Sequence, residues 1–219
     1  MYHWIDDKDF LKRMHGVCSN LINELVQYIN SEGYLTVEAH LVGSGERNLL
    51  TQNNNEPIDV DYNLNIIEID GNIKDGKRIK EYIINAFNII LKSNKWGDCK
   101  DSTSALTTEK RHFKEGNATE FSIDLAIVHE DNDGSWYRLI HSKTGYVFRD
   151  TWHWVQGRNS KQLKDKVYKL KKANLWSNVR EVYLNKKNKY INDSNHPSFV
   201  CYIEAVNEIY FQNFKNQKF

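Results

Sequence analysis

The chain has 219 residues with a formal net charge of +1 at pH 7, 40% hydrophobic and 27% charged residues, and only 2 Pro and 11 Gly. This composition excludes a disordered, collagen-like or low-complexity protein, and the length suffices for one domain with a full core, with or without a small addition. We find no apolar run of about 18 residues, no secretory signal pattern and no zinc-type cysteine spacing. We therefore expect a cytoplasmic protein without a membrane partner.

The charge is unevenly placed along the chain. Residues 158–189 contain eleven Lys or Arg against two acidic residues, which gives this segment +9 and leaves −8 for the rest. A basic segment of this density predicts attraction to phosphates or nucleic acid. The basic residues that are candidates for such a contact are Lys161, Lys164, Lys172 and Arg180. A solvated face of a helix explains the same spacing, so both interpretations stay open.

The first predicted element is a long amphipathic helix. Apolar residues recur at three- and four-residue steps from Phe10 to Ile29. Asp6 or Asp7 is a suitable N-cap, and Gly33 is placed to end the helix.

The middle of the chain alternates between strand and helix patterns. β-Branched residues, alternation and Gly- or Asp-containing turns predict strands over 35–42, 58–69, 105–113, 120–129, 136–140 and 146–155, with a helix over 77–92. The last two strands are expected to form a hairpin. Residues 51–55 are predicted to form the polar tip of a loop.

After Gly157 the period becomes helical again. Asn159 or Ser160 can cap the first of three predicted helices, and Pro197 can begin the third. The order of elements predicts an α/β (α+β) fold with a mixed sheet flanked by helices. We expect a catalytic core over 1–157, including the N-terminal helix, and a short three-helix module over 158–219.

The residues most indicative of chemistry are a Gly43-Ser44 turn and three aspartates in strands. Asp59 and Asp61 point to one face of the same strand, and Asp124 lies inside an apolar strand. Carboxylates so close together repel one another unless a cation lies between them, and a third carboxylate completes a site for two Mg²⁺ ions. The turn can offer backbone N–H groups and a hydroxyl to a triphosphate.

These motifs resemble the DNA polymerase β-like nucleotidyltransferase superfamily. The segments that match its pattern are Leu41–Arg47, Ile58–Tyr62 and Ile123–Leu125, and Arg47 stands where many members have a basic residue. The long first helix and the C-terminal helices are most similar to the branch of cyclic GMP-AMP synthase, 2′-5′-oligoadenylate synthetase and the bacterial CD-NTases. The motifs span less than half of the chain.

The resemblance implies a role for each motif residue. Gly43, Ser44 and the nearby basic residue would bind the nucleotide's phosphates. Asp59 and Asp61 would bind two Mg²⁺ ions, for which Mn²⁺ can substitute, and Asp124 would bind the catalytic metal and orient or deprotonate the acceptor hydroxyl. Two departures concern the product: fourteen residues separate Ser44 from Asp59, and Asn48-Leu49-Leu50 replaces the branch's common Gly-Thr.

The sequence thus predicts a Mg²⁺-dependent nucleotidyltransferase that moves a nucleoside monophosphate from a nucleoside triphosphate to a hydroxyl and releases pyrophosphate. The acceptor is a nucleotide, as in a cyclic or linear oligonucleotide second-messenger synthase, or an RNA, a protein or a small molecule. The main alternative is a catalytically inactive nucleotidyltransferase-fold protein that binds RNA or an antitoxin-like partner. A metal-dependent nuclease is a third.

Tryptophans and histidines are two further residue types that could serve either in a functional site or in the core. Trp152 and Trp154 share a strand face and could stack on a base, but core packing is the favoured interpretation. The eight histidines show no spacing typical of a zinc site.

Overall fold

A computed structural model describes residues 1–157, 161–193 and 195–214. The elements in chain order are β1 (Tyr2–Trp4), α1 (Lys8–Glu32), β2 (Leu35–Leu41), α2 (Gly43–Glu46), β3 (Thr51–Asn53), β4 (Ile58–Ile69), α3 (Gly76–Ser93), β5 (Lys100–Asp101), β6 (Leu106–Thr107), β7 (Phe121–Glu130), β8 (Trp136–Ser142), a 3₁₀ turn (Val147–Arg149), β9 (Thr151–Gln156), α4 (Lys161–Lys172), α5 (Trp176–Lys189) and α6 (Ser198–Phe214). The mixed α/β class predicted from the sequence is confirmed.

The chain forms two compact units. The larger comprises Ile5–Leu50 and Asn55–Arg158, and the smaller comprises Met1–Trp4, Thr51–Asn54 and Asn159–Phe219. The first and third elements of the chain's sheets, β1 and β3, therefore belong with the C-terminal helices, whereas the sequence prediction assigned both to the core over 1–157. Strand β1 belongs there because the Tyr2 N–H donates to Asn188 Oδ1 of α5 at 2.7 Å, and β3 follows because it pairs antiparallel with β1.

Helix α1 has the ends that the sequence predicts. The Asp7 carboxylate accepts a hydrogen bond from the Phe10 N–H at 2.9 Å, and Gly33 ends the helix in the left-handed region at φ 77°. Its apolar stripe, including Met14 and Leu25, is fully buried in the core of the larger unit.

The central sheet has seven strands and mixed direction. Strand β4 pairs antiparallel with β2 and parallel with β7, and β7 pairs antiparallel with both β6 and β8. Residues 58, 60, 62, 64 and 66 of β4 are buried in one core cluster with the apolar faces of α1 and α3. The residues between them, including Asp59 and Asp61, therefore lie on the opposite face of the sheet.

Two predicted strands of this sheet differ from the observed ones, and one observed strand was not predicted. The predicted strand over 105–113 is only β6, because after Thr108 the chain keeps a single bridge to β7 at Arg111. The predicted strand over 146–155 begins only at Thr151, because Asp150 accepts hydrogen bonds from the Thr144 N–H and hydroxyl and so holds 144–150 as a turn. The two-residue strand β5 was not predicted.

The two tryptophans of β9 pack against the core, as the favoured interpretation holds. The Trp154 indole N–H donates to the Ile73 carbonyl at 2.7 Å, and Trp152 stacks on His141 with ring centres 4.2 Å apart. Neither ring is exposed as an open stacking platform.

The smaller unit joins the β1–β3 pair to α4, α5 and α6, whose existence was predicted. The Asn159 or Ser160 cap lies outside the described residues. The Arg180 guanidinium lies 4.1 Å from the centre of the Trp4 ring, and Lys186 pairs with Glu204 and Glu208 of α6. Part of the basic segment therefore serves packing within this unit, while the substrate contacts expected of Lys161, Lys164, Lys172 and Arg180 stay predictions.

Lys187 of the basic segment is half-buried. Its ammonium donates to the Thr51 hydroxyl at 2.9 Å and lies 3.7 Å from the centre of the Tyr2 ring. Burial lowers the pKa of Lys187 to about 8. Among the helices of the described residues, none is both long and apolar enough to cross a membrane.

Candidate active site

The three predicted aspartates lie on two adjacent strands. In the parallel register of β4 and β7, Asp61 is opposite Asp124 and Asp59 is opposite Ser122. Side chains directly opposite in a sheet are about 5 Å apart at Cβ, so the register brings the three carboxylates to one patch of the polar face.

Two hydroxyl groups hold two of these carboxylates. The Ser122 hydroxyl donates to Asp59 Oδ1 at 2.6 Å, and the Thr107 hydroxyl donates to Asp124 Oδ1 at 2.6 Å. Thr107 reaches Asp124 because the two are directly paired across β6 and β7. Short hydrogen bonds to an ionised acceptor are stronger than neutral ones and fix the direction of the carboxylate.

The patch carries unbalanced negative charge. Burial and the charges of Asp124 and Asp59 raise the pKa of Asp61 to about 6, although Arg138 and Arg47 oppose the shift. Burial and the charge of Asp59 also raise the pKa of Asp124, against the Thr107 hydrogen bond that lowers it. Each carboxylate would be stabilised in its ionised form by a cation bound among them.

The Gly43 turn is built against Asp61. The Val42 N–H donates to the Asp61 carbonyl at 2.9 Å, and Gly43 follows at φ 69°, in the left-handed region. A Cβ at Gly43 would lie 3.1 Å from Asp61 Cγ and closer still to Oδ2. Glycine is therefore required at this position by backbone conformation and by the close approach of the carboxylate.

The nucleotide-binding candidates follow directly in α2. Gly43 and Ser44 form its first turn, where helix N–H groups lack intrahelical acceptors. Arg47 ends this helix, half-buried, and its charge acts on Asp61. The structure thus places Gly43 and Arg47 near Asp61, which lies opposite Asp124 and on the same strand as Asp59, and Ser44 follows Gly43 in α2. The binding roles of these six residues stay predictions.

The donor set suits a hard divalent cation, since Mg²⁺ and Mn²⁺ prefer carboxylate oxygens. In the described parts of the chain, no three His, Cys, Asp or Glu side chains stand together as a formed metal centre. The hydroxyls of Ser122 and Thr107 occupy one oxygen each of Asp59 and Asp124. Because each carboxylate oxygen has two lone pairs, one such hydrogen bond leaves Asp59 and Asp124 able to bind a cation as well.

Three residues of the site were not found from the sequence. Ser122 and Thr107 hold carboxylates, and Arg138 of β8 is a source of positive charge for Asp61. The alternation of β7 placed Ser122 on the face of Asp124, which was a usable signal. No local pattern predicts the register that sets Thr107 beside Asp124.

The mixed α/β structure of this chain matches the nucleotidyltransferase fold of solved bacterial CD-NTases. E. coli MS115-1 CdnC with ATP matches at a TM-score of 0.59 and 15% identity, over 92% of this chain and 60% of CdnC. The CdnC:HORMA-deltaN complex from the same strain matches at 0.56 and 14%, with the same coverages.

A third structure is Vibrio cholerae DncV cyclic AMP-GMP synthase with the linear intermediate 5′ pppA(3′,5′)pG. It matches at a TM-score of 0.50 and 14% identity, over 79% of this chain and 47% of DncV. No protein-family model and no curated protein matches the sequence. The resemblance to the CD-NTase branch is thus confirmed for the fold, and the chain spans about 60% of the length of CdnC.

Proposed function

We propose that this chain is a divalent-cation-dependent nucleotidyltransferase. It would transfer a nucleoside monophosphate from a nucleoside triphosphate to a hydroxyl and release pyrophosphate. The observation that carries the proposal is the meeting of three carboxylates with a glycine turn packed directly on one of them, Asp61. A catalytically inactive binding protein would have no use for the electrostatic repulsion within this patch.

The residues of the patch suit distinct roles. The Ser44 hydroxyl and the N–H groups of the Gly43 turn would bind the triphosphate, and Arg47 would add positive charge. Asp59 and Asp61 would hold the cations. Asp124 would accept the proton of the attacking hydroxyl, because it lies opposite Asp61 in the register of β4 and β7 and is held by Thr107.

Divalent cations bound here would neutralise charge on the transferred phosphoryl group and activate the attacking oxygen. The hydroxyl oxygen forms the new bond to the α-phosphorus as the bond to the bridging oxygen of pyrophosphate breaks. The proton passes to the Asp124 carboxylate. Most of the catalytic effect would come from holding nucleophile and phosphate in line.

We propose further that the acceptor is a second nucleotide. Support comes from the solved structures with this fold, one of which is a cyclic AMP-GMP synthase with a linear dinucleotide intermediate and another a CD-NTase with ATP. A regulatory protein partner is a related proposal, since CdnC has been solved in complex with a HORMA protein.

The test is cation-dependent triphosphate binding, measured by calorimetry with ATP and GTP in Mg²⁺ or Mn²⁺. Asp59→Asn and Asp61→Asn should each weaken cation-dependent binding by about 100-fold or more, because each removes a charge that the cation requires. Asp70→Asn, at an exposed aspartate just after the same strand, is the matched control and should bind as the wild type does. Equal, cation-independent binding in all variants would refute the proposal.

A further inference from the structure

The larger unit contains a lysine that is almost fully buried. Lys80, on the core-facing side of α3, is 2% exposed, and its ammonium lies 2.6 Å from Asp101 Oδ1. The ammonium also donates to the Ser102 carbonyl at 2.9 Å. Burial lowers the pKa of Lys80, and the contacts with Asp101 oppose that shift. This one side chain therefore ties helix α3 to the end of strand β5.

Asp101 extends the network to strand β8. Its second oxygen lies 2.6 Å from His141 Nδ1, and His141 Nε2 lies 3.2 Å from Asp150 Oδ2. His141 is also buried and stacks on Trp152. Asp101 is thus held from two sides, by the ammonium and by the imidazole, and its position in the sheet is fixed.

A second chain of contacts leads from the same place to the candidate active site. The Ser102 hydroxyl lies 3.3 Å from the Thr107 hydroxyl, which donates to Asp124 Oδ1. A hydroxyl has only one proton. Because Thr107 gives its proton to Asp124, Ser102 must be the donor in the contact between the two hydroxyls. These hydrogen bonds form a relay with a fixed direction, in which Ser102 donates to Thr107 and Thr107 donates to the Asp124 carboxylate.

We infer that Lys80 is a positioning residue for the carboxylate site, acting through Ser102 and Thr107 on Asp124. By holding Ser102 through its carbonyl, Lys80 keeps the Ser102 hydroxyl in reach of Thr107, and Thr107 then keeps Asp124 turned with one oxygen bound and the other free. This inference rests on the proposed function, because it gives the relay a purpose only if Asp124 binds a cation.

Stability alone does not explain the network. Replacing a buried ion pair by apolar side chains of similar volume is commonly neutral or stabilising, since both charges lose their hydration on burial. Groups that orient a metal-binding side chain from behind, by contrast, typically change metal affinity or activity by about 10–100-fold when removed. The position of the relay behind Asp124 matches the second case.

The experiment measures Mn²⁺ affinity by electron paramagnetic resonance, alongside the melting temperature. Thr107→Val should weaken Mn²⁺ binding about 10- to 100-fold, and Thr107→Ser, which keeps the hydroxyl, should restore it. Lys80→Met should weaken it about tenfold, and the double variant should be no worse than Thr107→Val because both act by one route. Lys92→Met, on the same helix and paired with exposed Asp98, is the matched control and should change nothing.

Ser102→Ala covers the case in which Lys80→Met does not fold, since Ser102 is exposed and its hydroxyl is the middle of the relay. It should weaken Mn²⁺ binding several-fold without lowering the melting temperature. Unchanged Mn²⁺ affinity in Lys80→Met or Ser102→Ala, with binding lost in Asp61→Asn, overturns this inference and leaves the proposed function standing. Additive losses in the double variant also overturn the relay. A wild-type protein that binds no Mn²⁺ overturns both proposals.

Discussion

Replacement of Gly43 by alanine tests two requirements at this turn, a left-handed backbone conformation and space for the Asp61 carboxylate. Gly43 is in the left-handed region at φ 69°, and its missing Cβ leaves room for the Asp61 carboxylate. An alanine there costs about 1–2 kcal/mol in backbone conformation. It also forces Asp61 to turn away, because a Cβ would stand 3.1 Å from its Cγ and closer to its oxygen. Disturbing the orientation of a metal-binding side chain typically costs about 10–100-fold in metal affinity.

Gly33→Ala is the matched control for this experiment. Gly33 has nearly the same conformation, φ 77°, but an added Cβ would meet nothing within 4 Å. Both variants should lower the melting temperature by about 2–8 °C, from the shared conformational cost. Only Gly43→Ala should also weaken cation-dependent triphosphate binding, by about 10- to 100-fold, as measured by calorimetry. Wild-type binding by Gly43→Ala, or an equal loss in Gly33→Ala, would refute the reasoning.

Two other predictions concern the stability of the fold. The depressed pKa of Lys187 means that the unfolded chain binds more protons between pH 8 and 10.5, so the free energy of unfolding should rise with pH across that window. Lys187→Met should remove this rise and stabilise the protein at pH 7 by about 1–3 kcal/mol in denaturant titrations, whereas Lys189→Met, at an exposed position, should do neither. Trp154→Phe removes the hydrogen bond to the Ile73 carbonyl and should cost about 1 kcal/mol in the same titrations. Its triphosphate affinity should stay at the wild-type value, and a loss of affinity would instead favour base stacking by this ring.

The long elements of the larger unit could be predicted from the sequence because each has many residues with which to show a period. Helix α1 has 25 residues with its cap and its terminating glycine in place, and β4 has 12 residues with clear alternation. The alternation alone placed Asp59 and Asp61 on one face. Such patterns follow from local backbone geometry and from burial on one side, and both can be recognised from residues that are close together in the sequence.

The short strands could not be found in this way. Strands β1 and β3 have three residues each, too few to show a period, and polar Gln52 of β3 is nevertheless buried. What stabilises them is pairing across about fifty residues of chain, which no local pattern records.

The relay behind the site was hidden for the same reason. In the sequence, Lys80 is one of several polar residues of an amphipathic helix. Its partners Asp101 and Ser102 lie more than twenty residues away along the chain. Charge on a side chain in the sequence does not tell whether water or another side chain will surround it. Only the fold brings Lys80, Asp101 and His141 together.

The most direct test of the proposed function is pyrophosphate release from a mixture of the four nucleoside triphosphates with Mg²⁺ or Mn²⁺, with mass spectrometry of the products. The account predicts pyrophosphate together with a nucleotide-linked product in the wild type, and loss of both in the Asp59→Asn, Asp61→Asn double variant. Absence of cation-dependent triphosphate binding and of pyrophosphate in the wild type, or the same products from the double variant, would contradict it.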